Sequence, residues 1–149
     1  MTVLRPCAVH GPGSTHAREW WFVKRALDGR RRVPVLLEGR SRFHTTATAN
    51  LAEVCRLALT APGTRVLNVG DPEPPTVREI GEAIGTAMGH AWEIVGVPPL
   101  RSSMVAATPW SIPFDLLVSM QAAEQLGYQP VATYAESMPA LCTALAGAA

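Results

Sequence analysis

The sequence predicts an α/β fold in which short parallel strands alternate with helices. Short β-favouring runs recur along the chain and are separated by longer stretches with helical spacing. The first run, Thr2–Leu4, is broken at Pro6 and followed by the turn-forming sequence Gly11-Pro12-Gly13. In open α/β sheets, ligands bind beyond the carboxyl ends of strands, where such loops lie. The opening stretch is therefore the first candidate for a functional site.

Four further segments share a short run of apolar or β-branched residues and predict strands. They are residues 33–37, 43–47, 65–69 and 92–97. Pro34 lacks a backbone donor, so the strand that contains it is expected at a sheet edge. The clearest strand is Arg65–Val69, which the sequence Gly70-Asp71-Pro72 closes.

Five segments carry apolar residues at helical spacing and predict amphipathic helices. They are residues 17–28, 49–60, 76–89, 114–126 and 133–145. Two begin with a capping box, Thr76 with Glu79 and Thr133 with Glu136. Pro139 is expected to kink the last helix or to delay its start.

Glycine recurs at every fourth position of the third helix, and close packing against a neighbouring element is the favoured interpretation. Gly89 is expected to end this helix. Residues 98–113 are rich in Pro and Ser and lack periodicity, which predicts a mobile loop. We find no repeat and no linker, so residues 1–149 are interpreted as a single unit.

Composition excludes several classes of function. The chain has 149 residues, 48% of them hydrophobic and 17% charged, and a net charge of +1. This balance gives no electrostatic reason to expect a nucleic-acid or membrane partner. The three cysteines lack metal-ligand spacing and fit reduced thiols in a cytoplasm, so we expect no metal. No run approaches the roughly 20 apolar residues of a membrane helix, and the start lacks a signal-peptide pattern. A cytoplasmic location is expected.

Five motifs, in the same order, resemble segments of the extended short-chain dehydrogenases/reductases, the NAD-dependent epimerase/dehydratase family. They are Leu4-Arg5-Pro6 with Gly11-Pro12-Gly13, Thr48-Ala49-Asn50-Leu51-Ala52-Glu53, Val66-Leu67-Asn68-Val69-Gly70-Asp71, Thr76-Val77-Arg78-Glu79-Ile80 and Gln125-Leu126-Gly127-Tyr128-Gln129-Pro130. Each motif alone is weak, but their order makes the chain similar to the carboxyl-terminal, substrate-binding half of such a protein. The resemblance implies a partial Rossmann-like parallel sheet with a small α/β substrate-binding subdomain.

Two signatures of the family do not occur in the sequence. No Gly-rich phosphate loop joins a strand to a helix. The family's Tyr-x-x-x-Lys pair is also missing, because Ala132 follows Tyr128 by four residues and Met138 follows Tyr134. We therefore expect the dinucleotide-binding half to be absent and no residue of this chain to be catalytic. NAD or NADP would be bound by the complete enzyme, not by this chain alone.

Three kinds of function follow. The first is the substrate-binding half of an NAD(P)-dependent epimerase/dehydratase or reductase, truncated and completed by the missing half or by a homologous chain. The second is a non-catalytic binding module that pairs with another chain. The third, an unrelated small α/β enzyme, is disfavoured by the ordered motifs. An unpaired strand edge and an apolar sheet face would favour aggregation or a homo-oligomer.

The resemblance implies that Pro6, Cys7 and Ala8 pass beside the nicotinamide of the complete enzyme; the alternative is a plain strand-ending turn. Nucleotide-sugar enzymes of the family often carry Asn at the position of Ala8, where it can bond the sugar nucleotide. Alanine cannot do so. The substrate is therefore expected to be a different small molecule, handled by a reductase or dehydrogenase.

Four residues are candidates for substrate binding: His10, Trp20, Arg40 and Arg42. His10 stands where Tyr is common in the family and could line the pocket or only bond the loop. Trp20 could form an aromatic wall or belong to the core. Arg40 and Arg42 lie near the family's phosphate-binding arginine, although a solvated turn arginine is the simpler interpretation of each. Asn50 is expected to act structurally, at the start of its helix.

Overall fold

The computed structural model describes residues 1–98 and 103–148. Its strands are β1 (Thr2–Pro6), β2 (Ala8–His10), β3 (Arg32–Leu36), β4 (Thr45–Ala47), β5 (Arg65–Val69) and β6 (Glu93–Val97). Its α-helices are α1 (Trp20–Leu27), α2 (Thr48–Thr60), α3 (Val77–Ala87), α4 (Gln121–Gln125) and α5 (Tyr134–Gly147). Two short 3-10 helices cover Leu37–Gly39 and Ser103–Ala106.

The strands form three parallel pairs, β1 with β5, β2 with β4 and β3 with β6. A parallel pair needs a crossover connection, and the intervening helices supply it. The predicted α/β class with parallel strands is confirmed. The strand β2 was not predicted, because a run of three residues so close to a proline carries no readable alternation.

The larger core lies where β3 and β6 pack against α1, α3 and α5. Fully buried side chains fill it, among them Phe22, Val33, Val35, Ile80, Ile84, Trp110, Met138 and Leu141. The predicted close packing of the α3 glycines is confirmed, since a β-carbon on Gly81 would lie 2.8 Å from the Phe22 ring. Gly89, with a φ of +61°, follows the end of α3 as predicted.

The smaller core lies between the β1–β5 pair and the helices α2 and α4. It contains Leu4, Val54, Leu67, Val69, Ala123 and Tyr128. Because side chains alternate along a strand, Val3 and its partner Val66 lie on the opposite face of the pair. There they are 38% and 46% exposed. The pair is thus covered on one face and bare on the other.

The helix predicted over residues 114–126 is wrong over most of its length, since only Gln121–Gln125 are helical. Residues 111–119, which we call the strap, run instead beside residues 41–44. The bridge between Phe43 and Leu116 and two backbone hydrogen bonds join the segments. Non-local backbone pairing therefore overrides the local helical spacing.

The mobile loop predicted over residues 98–113 is also corrected in part. Residues 99–102 lie outside the described residues, but Trp110 is fully buried and stacks on Phe22 with ring centroids 6.0 Å apart. Both capping boxes are confirmed, and α5 begins at Tyr134, so Pro139 does not delay its start. Among residues 1–98 and 103–148, no helix is long and apolar enough to cross a bilayer.

Candidate functional site

The segment predicted to pass beside the nicotinamide lies where two strand pairs meet. The Cys7 amide donates to Thr46 Oγ1 at 2.9 Å and to the Val69 carbonyl oxygen at 3.3 Å. The Ala8 amide donates to the His44 carbonyl oxygen at 3.3 Å. Ala8 is buried, Cys7 is half-buried and Pro6 is exposed. The segment is therefore fixed by its backbone and offers a ligand the Pro6 ring and one side of Cys7.

The thiol of Cys7 is not activated for chemistry. Burial, and then the negative charge of Asp71, raise its pKa. A raised pKa keeps the thiol protonated at neutral pH, whereas a nucleophilic cysteine needs a cationic environment that favours the thiolate. The Cys7 thiol is therefore not a candidate nucleophile.

Asp71 is the centre of a buried polar cluster beneath this segment. Its Oδ2 accepts hydrogen bonds from His10 Nε2 at 2.7 Å and Thr45 Oγ1 at 2.6 Å. Its Oδ1 accepts from the Ala47 amide at 2.7 Å and Asn50 Nδ2 at 2.8 Å. Burial by itself raises the pKa of Asp71, but the bond and charge of His10, with the Thr45 and Ala47 bonds, outweigh it and lower the pKa. The carboxylate therefore ties β2, β4 and α2 together in its ionised form.

His10 contributes to this cluster and is fully buried. Its Nε2 faces a carboxylate that can only accept, so Nε2 carries the proton. The ring packs against Tyr134, with centroids 4.9 Å apart. The structure leaves the His10 ring no open surface, and binding of substrate by His10 stays a prediction.

Asn50 extends the cluster to the turn before α5. Its Nδ2 also donates to the Ala132 carbonyl oxygen at 2.8 Å, and its Oδ1 accepts from the Val131 and Ala132 amides at 2.8 and 3.1 Å. All its bonding capacity is used inside the protein. The expected structural role of Asn50 is confirmed, although it lies within α2 and bridges to other elements instead of capping the helix.

A second buried acid, Glu19, was missed by the sequence analysis. Glu19 is 3% exposed and accepts a hydrogen bond from the Tyr134 hydroxyl at 3.3 Å. Burial raises the pKa of Glu19. The pKa of Tyr134 is raised well above its usual value, chiefly by burial and next by the negative charge of Glu19. A lone Glu before an apolar helix gives no signal of burial in the sequence, because its partner lies more than 100 residues away.

The other candidate substrate residues do not converge. Trp20 is half-buried against the larger core. Arg40 is exposed, pairs with Glu38, and lines a small cleft beside Phe114. Arg42 donates from Nε to the Pro74 carbonyl oxygen at 3.3 Å and lines a separate cleft of about 470 Å³. The structure thus places the two arginines at different clefts.

Gly11 lies in the loop that follows β2, next to the buried cluster around Asp71. Its replacement tests how tightly this loop is held. Its φ is +149°, and a β-carbon there would overlap Thr48 Oγ1. Gly11→Ala is expected to lower the free energy of unfolding by about 2 kcal/mol, measured by urea denaturation.

Gly13→Ala is the matched control, because Gly13 also has a positive φ, +82°, but has open space around its β-carbon position. It is expected to cost about 1 kcal/mol. The double variant Gly11→Ala/Thr48→Ala should recover part of the loss. Equal effects of the two single variants would show that Thr48 does not confine the loop.

The whole described chain superimposes on one half of several solved nucleotide-sugar enzymes. With UDP-glucose 4-epimerase from Thermus thermophilus, solved with NAD, the identity is 24% and the TM-score 0.71, over 99% of this chain and 47% of that chain. With UDP-glucuronic acid 4-epimerase from Bacillus cereus, also with NAD, these values are 16% and 0.74, over 99% and 45%. Over the matched half of these proteins, the chain shares their fold and so forms part of a Rossmann-like fold. The resemblance expected from the five motifs is confirmed at this level.

A structure solved with NADPH shows the same similarity. RMD from Pseudomonas aeruginosa, complexed with NADPH, is 17% identical with a TM-score of 0.72, over 98% of this chain and 48% of that chain. The chain therefore spans about half the length of the solved structures it matches. No family model matches the sequence, and no curated protein matches it.

Proposed function

We propose that this chain is the substrate-binding half of an NAD(P)-dependent epimerase/dehydratase or reductase, and that it acts with a dinucleotide-binding unit. Support comes from structural similarity: the chain superimposes on about half of the length of proteins that were solved with NAD or NADPH. The unit would be supplied by the same polypeptide or by another chain.

One edge of β1 has no partner strand among residues 1–98 and 103–148. The Met1 carbonyl oxygen and the Cys7 amide bond to β5, so the odd-numbered residues of β1 direct their backbone groups toward β5. Thr2, Leu4 and Pro6 then direct theirs to the open edge. Pro6 has no N–H, so the open edge offers backbone donors at Thr2 and Leu4 but none at Pro6.

The surface beside that edge suits an added strand. A groove of about 490 Å³ runs along it, lined by Met1, Thr2, Leu4, Cys55, Ala58, Leu59, Pro62 and Gly63. The bare face with Val3 and Val66 continues this apolar surface. An exposed strand edge next to apolar surface is where sheets recruit further strands.

The described residues do not by themselves fit a dinucleotide. Pyrophosphate binds at helix N-termini, where unpaired amides and the helix dipole favour an anion. Here a carboxylate of the chain accepts from a backbone amide at the start of α2, α3 and α5: Asp71 from Ala47, Glu79 from Thr76 and Glu136 from Thr133. At α1 the residue before the helix is Glu19, whose buried carboxylate accepts from Tyr134. We therefore expect NAD(P) to be held by the other unit.

In the assembled protein, Pro6 and Cys7 would contact the nicotinamide. Arg40 and Arg42 line different clefts, so only one of them would contact the substrate. Ala8 is buried and its side chain cannot form a hydrogen bond, whereas nucleotide-sugar enzymes of the family often carry Asn at this position. The proposed substrate is therefore a small molecule of another kind.

The test compares the recombinant chain with the protein isolated from its own cells. We expect the recombinant chain to bind no NADH or NADPH in a calorimetric titration, and the native protein to carry a nucleotide-binding unit and bound NAD(P). Nucleotide binding by the recombinant chain would overturn the proposal. A native complex without nucleotide would favour a non-catalytic module that pairs with another chain.

A charged substitution on the exposed face of the β1–β5 pair, the face with Val3 and Val66, tests whether this surface is used for assembly. Val3→Glu is expected to reduce recovery of the nucleotide-binding unit at least tenfold, because a carboxylate would be buried against the added unit. Val131→Glu is the control, since Val131 is also an exposed valine, 60% accessible, but lies outside the sheet. Equal recovery with the two variants would exclude this face.

A further inference from the structure

The strap, residues 111–119, is fastened to residues 41–44 by a short series of hydrogen bonds. Ser41 Oγ donates to the Ile112 carbonyl oxygen at 2.6 Å, and the Arg42 amide donates to Asp115 Oδ1 at 2.9 Å. The Leu116 amide donates to the Arg42 carbonyl oxygen, and the His44 amide to that of Leu116. Beyond Leu116, two side chains hold the strap: His44 at the Val118 amide, and Asn68, whose Nδ2 donates to the Ser119 carbonyl oxygen at 3.0 Å.

The contacts of the His44 ring determine where its proton lies. Nδ1 is 3.2 Å from the Val118 amide nitrogen, which can only donate, so Nδ1 accepts. Nε2 is 2.9 Å from the Asp71 carbonyl oxygen, which can only accept, so Nε2 carries the hydrogen. His44 is 3% exposed, and both ring nitrogens are satisfied only in the neutral form protonated at Nε2.

We propose that His44 is a pH-sensitive latch: protonation of its ring at Nδ1 releases the Val118 amide and loosens the outer end of the strap, where the Asn68 bond to Ser119 remains. The added N–H would face the N–H of Val118, so one hydrogen bond is replaced by two opposed donors. An unpaired buried donor is unfavourable, and separation of the strap admits water to both groups. This proposal does not depend on the proposed function.

The ring cannot escape by swinging aside. A β-carbon on Gly70 would overlap His44 Nε2, which shows that the ring lies flat against the backbone of Gly70. Tyr128 donates to the Gly70 carbonyl oxygen at 3.1 Å and holds that segment in place. Relief on protonation must therefore come from the strap.

The titratable and charged groups around His44 offer no new acceptor for Nδ1. On the loop beneath the ring, the Asp71 carboxylate is already occupied by four donors, one of them from His10. On the strap, Asp115 accepts from the Arg42 amide, and the Arg42 guanidinium is engaged with Pro74. The Tyr128 hydroxyl, on the turn after α4, donates to Gly70.

Release of Val118 concerns only residues 117–119. Leu117 is already 47% exposed, so little apolar contact opposes their movement. Pro113, Phe114 and Asp115 form one wall of the cleft of about 210 Å³ that Arg40 lines, and the hydrogen bonds that fasten this part of the strap do not involve the His44 ring. Acidification is therefore expected to loosen residues 117–119 and to leave the Arg40 cleft unchanged.

Site-resolved NMR of the full chain tests the latch. At neutral pH, the ¹⁵N spectrum of His44 should show the neutral tautomer protonated at Nε2. As the pH is lowered, the hydrogen-exchange protection of the Val118 amide should fall about tenfold per pH unit once the ¹⁵N spectrum shows His44 in its protonated form. The Leu67 amide in β5 should keep its protection.

Two results would overturn the proposal: an Nδ1-protonated tautomer at neutral pH, or protection of Val118 that does not follow the His44 midpoint. In His44→Gln the pH dependence at Val118 should vanish, whereas in His16→Gln, which replaces an exposed histidine, it should persist. If His44→Gln does not fold, the wild-type tautomer and protection profile decide the question alone.

Discussion

Replacement of Asp71 by Asn is expected to lower the free energy of unfolding by about 3–5 kcal/mol. The carboxylate is fully buried and accepts from His10, Thr45, Ala47 and Asn50. An amide has one acceptor oxygen, and its NH₂ group would face donors, so at least one pair of donors loses its partner. Urea denaturation followed by circular dichroism measures the loss.

Asp28→Asn is the matched control for this prediction. Asp28 pairs with Lys24 on an exposed helix end, and its side chain is 38% exposed. Exposed pairs of this kind contribute about 0.5 kcal/mol. If Asp71→Asn cost no more than Asp28→Asn, the cluster would not hold β2, β4 and α2 together.

The contribution of Asp71 also has a defined pH dependence. Its pKa is lowered in the folded protein, so the stability it supplies is present above the unfolded pKa and is lost as the pH falls toward the folded value. The difference in unfolding free energy between wild type and Asp71→Asn should therefore shrink below about pH 4. A difference that stays constant through this range would contradict the assignment of an ionised carboxylate.

The starts of α3 and α5 could be predicted because a capping box is a local signal. Thr76 and Glu79 satisfy each other's backbone donors within four consecutive residues, and the same holds for Thr133 and Glu136. The strand Arg65–Val69 is likewise readable from its β-branched residues and the turn that follows. Local chemistry determines these elements, so the sequence suffices.

The candidate site could be predicted only in outline. The Gly70-Asp71 turn and Asn50 stood within recognised motifs, but nothing in the sequence indicates that His10 and Asn50 meet on one carboxylate. These contacts span 61 and 21 residues. Local sequence patterns carry no information about contacts between residues so far apart along the chain. For the same reason the sequence analysis missed the buried Glu19, and it grouped Arg40 with Arg42 although the two side chains face different clefts.

Trp110→Ala is expected to destabilise the chain by about 3–5 kcal/mol, a size typical of a large aromatic side chain removed from a core. Trp110 lies in a stretch whose sequence predicts a mobile loop, yet its ring is fully buried and stacks on Phe22. Its removal leaves a cavity between β3 and α1 that rigid neighbours cannot fill. Thermal and urea unfolding of the variant measure the loss.

A second substitution separates packing from hydrogen bonding at this position. The Trp110 indole N–H is buried and has no hydrogen-bond partner in the described part of the chain. Trp110→Phe keeps most of the apolar contact and removes that unpaired donor, so its cost should be only about 1 kcal/mol. Phe114→Ala, at a residue 60% exposed in the strap, should cost about 0.5 kcal/mol or less. If Trp110→Ala were as mild as Phe114→Ala, residues 103–113 would be a surface loop after all, and the larger core would end at Phe22.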